Sequence, residues 1–223
     1  MLNLLCAPYY TISELVERIA VLDAPCPLPL RDSTFGSAVR DCLSVDPVGG
    51  LCVNKPYGAM PNWDVSHVTD MSGAFQTFRL FNADISRWNV SFVTNFAFMF
   101  EGCGAFNQPL GRWNTRYVTR MNGMFSTAAA FNQSLAGWDM SRVEFAYFMF
   151  EGAAAFDQDI LGWSTPLLTA RPLAGSYGIT AVSDMFLRAT AWQAKFERTC
   201  DVDYEYCSNT LADGPPRTWQ LKI

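Results

Sequence analysis

The sequence predicts an α/β solenoid, with a short parallel strand and a short helical turn in each coil and helical caps at both ends. Three observations lead there. Trp63, Trp88, Trp113, Trp138 and Trp163 stand 25 residues apart. Five further, mostly apolar positions keep fixed offsets from them. Half of the 223 residues are hydrophobic and 14% aromatic, enough for a continuous core. A 25-residue coil cannot bury its apolar side alone, so equivalent side chains must stack on those of the next coil.

Residues 1–62 lack the period and form an N-terminal cap region. Thr11-Ile12-Ser13-Glu14 has the pattern of a capping box, in which the hydroxyl and carboxylate reciprocally satisfy free helix N–H groups. Leu15, Val16, Ile19 and Leu22 then share one helical face, until Pro25 and Pro27 stop the helix. Pro27 to Leu30 reads as extended. A second helix is expected from Ser33 to Leu43, capped by Asp32 or Ser33, with Phe35, Val39, Cys42 and Leu43 on one side. Asp46-Pro47-Val48-Gly49-Gly50 supplies turn chemistry after it. This helix is the candidate cap for the first coil.

The repeats occupy 63–196. After each tryptophan come Val68, Val93, Val118, Val143 or Leu168, then Met71, Phe96, Met121 or Ala146. Two phenylalanine columns follow, Phe75/Phe100/Phe125/Phe150 and Phe81/Phe106/Phe131/Phe156, and lastly Ile85, Leu110, Leu135 and Ile160. The segment 70–77 and its equivalents suit one or two helical turns. Phe81–Trp88 and its equivalents are read as the strand, by analogy with other short-repeat solenoids. Asn82, Asn107, Asn132 and Asp157 form a polar register, followed by Ala83, Gln108, Gln133 and Gln158. It reads either as a ladder satisfying backbone groups or as a row of amides that meets a ligand.

Phe150 and Phe186 are 36 residues apart, so eleven residues are inserted in the fifth unit, near 165–178. Pro166, Pro172, Gly175 and Gly178 make this a surface loop, either functional or a tolerated irregularity. Ala189–Thr199 is expected to be a terminal helix, and 197–223 a C-terminal cap and tail. Asp201, Asp203 and Glu205 alternate, but the segment lacks the glycine and full ligand series of a calcium loop.

Cys6 and Cys26 flank the first helical segment, Cys42 and Cys52 the entry to the repeats, and Cys200 and Cys207 a C-terminal loop. The favoured reading is three local disulfides, implying an oxidising compartment; the other is six reduced thiols. A net charge of −5 without any Lys/Arg cluster disfavours nucleic acid. No 18-residue apolar run suggests a transmembrane helix, and the short apolar opening does not read as a signal peptide. With one histidine, no CxxC and no nucleophile or phosphate-loop motif, no cofactor, metal or enzymatic activity is expected.

The string Trp63-Asp64-Val65-Ser66-His67-Val68-Thr69-Asp70-Met71-Ser72-Gly73-Ala74-Phe75, with Phe106-Asn107-Gln108 and Phe131-Asn132-Gln133, resembles the BspA-like surface-protein repeat. The resemblance spans about residues 63–163. That family is similar to leucine-rich repeats, so it implies a leucine-rich-repeat-like solenoid and a surface or adhesive module. Arg116, Glu144, Ala146 and Pro166 depart from its pattern.

Function is expected at positions that fail to repeat. The candidate interaction face comprises Asp84, Pro109, Ser134 and Asp159, then Arg87, Arg112, Gly137 and Gly162. His67, Phe92, Tyr117 and Arg142 hold another variable register, in which Phe92 and Tyr117 are candidate sugar-stacking aromatics. A non-enzymatic scaffold binding another protein, at a cell or particle surface, is the first reading. A structural subunit of a larger complex, intracellular or organellar, is the alternative, and a carbohydrate-binding module the third.

Overall fold

The computed structural model describes residues 29–168, 181–198 and 219–222. Among them regular secondary structure is sparse. Helix α1 spans Asp32–Leu43, a 3-10 turn Met60–Asn62, helix α2 Thr190–Lys195, and strands β1 (Phe196–Arg198) and β2 (Trp219–Leu221) pair antiparallel. The α/β, leucine-rich-repeat-like solenoid is therefore not what forms. In place of parallel strands there is a single bridge pair between successive coils, Asp70 to Asn95, Asn95 to Arg120 and Arg120 to Phe145.

The reason lies in the backbone of the arc expected to be helical. In the first coil the N–H groups of Ala74, Gln76 and Phe78 close tight turns onto Met71, Gly73 and Phe75. Those of Met71, Gly73, Phe75 and Thr77 instead donate to Asn95, Ala97, Met99 and Glu101 of the next coil, at 2.7–3.0 Å. Alternate residues thus serve the coil and its neighbour. Positive φ at Gly73 and Thr77, and at their equivalents in each coil, prevents the arc from continuing as a helix. The coil-to-coil pairing runs on 70–77, not on 81–88 where a strand was expected.

Left-handed residues also reveal a two-coil alternation. The first and third coils read Met71-Ser72-Gly73-Ala74-Phe75-Gln76-Thr77 and Met121-Asn122-Gly123-Met124-Phe125-Ser126-Thr127. The second and fourth read Phe96-Ala97-Phe98-Met99-Phe100-Glu101-Gly102 and Ala146-Tyr147-Phe148-Met149-Phe150-Glu151-Gly152. Phe98 and Phe148 hold φ near +58° and +59°, where Gly73 and Gly123 sit in the other coils. The ring of Phe98 leans across the next coil, so a Cβ on Gly123 would lie 2.3 Å from it. Glycine in one coil makes room for phenylalanine from the coil before.

Inside, side chains stack as the period predicts. Phe75, Phe100, Phe125, Phe150 and Phe186 form one column, with ring centroids 5.5–5.7 Å apart. Phe81, Phe106, Phe131, Phe156 and Trp192 form a second, at 5.5–6.1 Å. All ten are fully buried, and each contributes roughly 1.5–3 kcal/mol by leaving water. The tryptophans are buried and also span coils. Trp88 Nε1 donates to Met60 O at 3.0 Å, Trp113 to Ile85 O at 3.3 Å, Trp138 to Leu110 O at 2.9 Å and Trp163 to Leu135 O at 3.0 Å.

At the N-terminal end α1 closes the stack with Phe35, Ala38, Val39, Cys42 and Leu43 buried. Arg31 is its N-cap, and Asp32 is its first residue. The Asp32 carboxylate instead accepts from Thr69 N–H, Thr69 Oγ1 and Asp70 N–H of the first coil, at 2.7, 2.6 and 3.1 Å. At the other end the expected helix Ala189–Thr199 is only Thr190–Lys195, because the chain turns extended at Phe196. The first predicted helix, most of the insertion near 165–178 and the carboxylates at 201–205 lie outside the described residues.

Candidate interaction faces

Disulfide chemistry settles one boundary. Cys42 and Cys52 are joined, with Cα atoms 5.2 Å apart. Between them Asp46 accepts from Val48, Gly49 and Leu51 N–H groups, at 3.1, 3.1 and 2.9 Å. Those three donors hold its carboxyl below the usual range. Cys6, Cys26, Cys200 and Cys207 lie outside the described residues. Cys103 is free and buried, its thiol 3.0 Å from Phe75 O and pushed up to about 12 by burial. It is a packing residue, not a nucleophile.

The polar register forms a ladder that serves the backbone. Asn107 N–H donates to Asn82 Oδ1, Asn132 N–H to Asn107 Oδ1 and Asp157 N–H to Asn132 Oδ1, at 2.9, 2.9 and 3.2 Å. Gln108, Gln133 and Gln158 each donate to the asparagine one coil earlier. Val48 O takes Asn82 N–H and so begins the ladder.

Asp84, Arg87, Pro109, Arg112, Ser134, Gly137, Asp159 and Gly162 are all exposed. Three are already engaged in their own turns, since Asp84 accepts from Ser86 N–H, Ser134 Oγ from Ala136 N–H and Asp159 from Leu161 N–H, at 3.0, 3.5 and 2.9 Å. The second register lies beyond buried Trp88 and Val90 along the coil. There His67 and Arg142 are exposed, as are Phe92 (59%), Tyr117 (37%) and Leu167 (47%). The guanidinium carbons of Arg116 and Arg142 sit 4.9 and 5.5 Å from the centre of the Tyr117 ring. Asp139 is held below the usual carboxylate range by the side chain and backbone of Ser141, with the charges of Arg116 and Arg142 adding to it. The result is an aromatic and cationic row, one side chain per coil. Leu167 was not among the expected residues, although its spacing from Tyr117 marks it.

Among the described residues no group of His, Cys, Asp or Glu is placed to hold a metal ion. Among them, too, no helix is long and apolar enough to cross a membrane.

A family model, described as "Mycoplasma protein of unknown function, DUF285", matches residues 53–164, just over half of the chain. The chain belongs to that family. The DUF285 match begins after Cys52 and ends one residue beyond Trp163, so it takes in the four regular coils and excludes α1. Comparison with curated proteins and with solved structures returned no match.

Proposed function

We propose that this chain is a non-enzymatic repeat scaffold that binds another protein, through the row His67, Phe92, Tyr117, Arg142 and Leu167. The observation carrying this reading is the exposure of Phe92 and of Tyr117, the latter flanked by two guanidinium groups. Aromatic residues and arginine are the side chains most enriched at protein interfaces. A cell-surface location is favoured by the Cys42–Cys52 disulfide, which persists in oxidising compartments. The resemblance of 63–163 to BspA-like surface repeats points the same way. Loss of a defined native partner from the double variant Phe92→Ser, Tyr117→Ser, with retention by Ser134→Ala, is the expected result. Equal recovery of that partner by both variants overturns the reading. A carbohydrate-binding role is favoured by the exposed rings of Phe92 and Tyr117 in successive coils. It predicts a glycan-array signal abolished by Tyr117→Ala.

A further inference from the structure

Among the described residues, one arc at the N-terminal end of the stack carries backbone acceptors without donors. Between the second and third coils, the N–H groups of Phe96, Phe98, Phe100 and Gly102 donate to the carbonyls of Arg120, Asn122, Met124 and Ser126 at 2.8–2.9 Å. In the first coil the equivalent carbonyls belong to Asp70, Ser72, Ala74 and Gln76. No N–H of the described residues donates to them. The N-terminal cap reaches both flanks of this arc, through Asp32 on Thr69 and through Val48 O on Asn82. No described residue of the cap donates to the arc itself. Ser72 and Gln76 are exposed, whereas their third-coil equivalents Asn122 and Ser126 are each 5% exposed.

A second feature coincides with the carbonyl row. The space beside Gly123 is filled by the Phe98 ring of the preceding coil. Beside Gly73, which has the same φ of about +60°, a Cβ would meet only Gln76 Oε1, at 3.5 Å. Among the described residues no ring takes the aromatic position that the alternation demands here.

We infer that the 70–77 edge receives a segment of a partner polypeptide, which donates four alternate N–H groups to it and lays an aromatic side chain beside Gly73. The internal coil contact defines the occupant's chemistry. It carries an aromatic residue at the second donor and a residue able to take positive φ, such as glycine, at the fourth, as Phe98 and Gly102 do. As in strand addition to a sheet edge, backbone bonds supply affinity and one pocket supplies selectivity. A second copy meeting it edge to edge does not fit, since two such edges would oppose acceptor to acceptor, and the matching donors of the four regular coils are consumed within the stack. The surface is separate from the Phe92–Tyr117 row, and neither depends on the other.

A labelled peptide with the sequence of residues 94–103, carrying Cys103→Ser, tests this when titrated with the full chain by fluorescence anisotropy. Saturable binding is expected, weakened at least tenfold by Gly73→Asn in the chain. Asparagine tolerates positive φ, and Asp184 holds φ of 52° at the corresponding place in the last coil. The same loss is expected when the peptide carries Phe98→Ala, or N-methyl groups on its Phe98 and Phe100 amides. Those peptides leave the protein unaltered, so a folding defect cannot imitate the result. Absence of saturable binding, or binding indifferent to all three changes, overturns the inference. Self-association of the chain that Gly73→Asn abolishes and the peptide does not displace would assign the edge to a second copy, and also overturns it.

Discussion

A single atom, the indole nitrogen, makes each tryptophan more than an apolar plug. Trp138 Nε1 reaches Leu110 O at 2.9 Å across the coil boundary, in a site where neither group meets water. Trp138→Phe keeps most of the packing but strands a buried carbonyl, so a loss of about 1–3 kcal/mol is expected. Urea unfolding at unchanged slope measures it. Gly123 argues from the opposite direction. Gly123→Ala brings a Cβ to 2.3 Å from the Phe98 ring and places alanine at positive φ. About 2–3 kcal/mol of destabilisation is expected from these two effects. Adding Phe98→Ala should recover part of it, and a double-mutant cycle showing simple additivity would contradict the contact.

At the scale of elements, α1 is fastened through its own first residue. Burial raises the Asp32 pKa, but bonds from the Thr69 hydroxyl and the Thr69 and Asp70 N–H groups outweigh it, leaving it below the ordinary value. A depressed folded-state pKa means stability that is present above the unfolded value and lost as pH falls toward the folded one. The stability difference between wild type and Asp32→Asn should therefore be full at neutral pH and shrink below about pH 4. Denaturation across that window checks it; a difference independent of pH would exclude the carboxylate as the fastener. The Cys42–Cys52 bridge closes the loop that follows α1. Reduction should lower stability by about 2–4 kcal/mol, while Cys103, buried and with its thiol pushed up to about 12, should resist alkylation at pH 8 in the native protein. Mass spectrometry of alkylated chains reads the second outcome.

Across the whole molecule the two-coil alternation makes a distinction that coil number alone does not. Deleting residues 113–137 removes one coil and sets Phe98 against Phe148, two rings where the structure alternates ring and glycine. Deleting 88–137 removes two coils and joins a Gly73 coil to a Phe148 coil of the proper kind. The larger deletion should melt cooperatively and the smaller one broadly, as followed by circular dichroism, because contacts between neighbours govern the stability of a stack. The reverse order would show that alternation is incidental.

Burial was legible in the sequence, since Trp, Val and Phe recur every 25 residues and a fixed offset is enough to place a side chain inside. The N-terminal cap helix was legible too, from Phe35, Val39, Cys42 and Leu43 at helical spacing. Tertiary structure decided the rest. Apolar spacing of four residues on 70–77 fits a helix, yet the arc became turns whose alternate N–H groups bond to the next coil. Those partners are 24 residues away, and no local pattern encodes them. The same holds for Asp32, whose position suggested a helix cap and whose oxygens went to Thr69, 37 residues on. Side-chain hydrophobicity determines what turns inward; which backbone groups pair along 70–77 depends on neighbours that exist only once the coils are stacked.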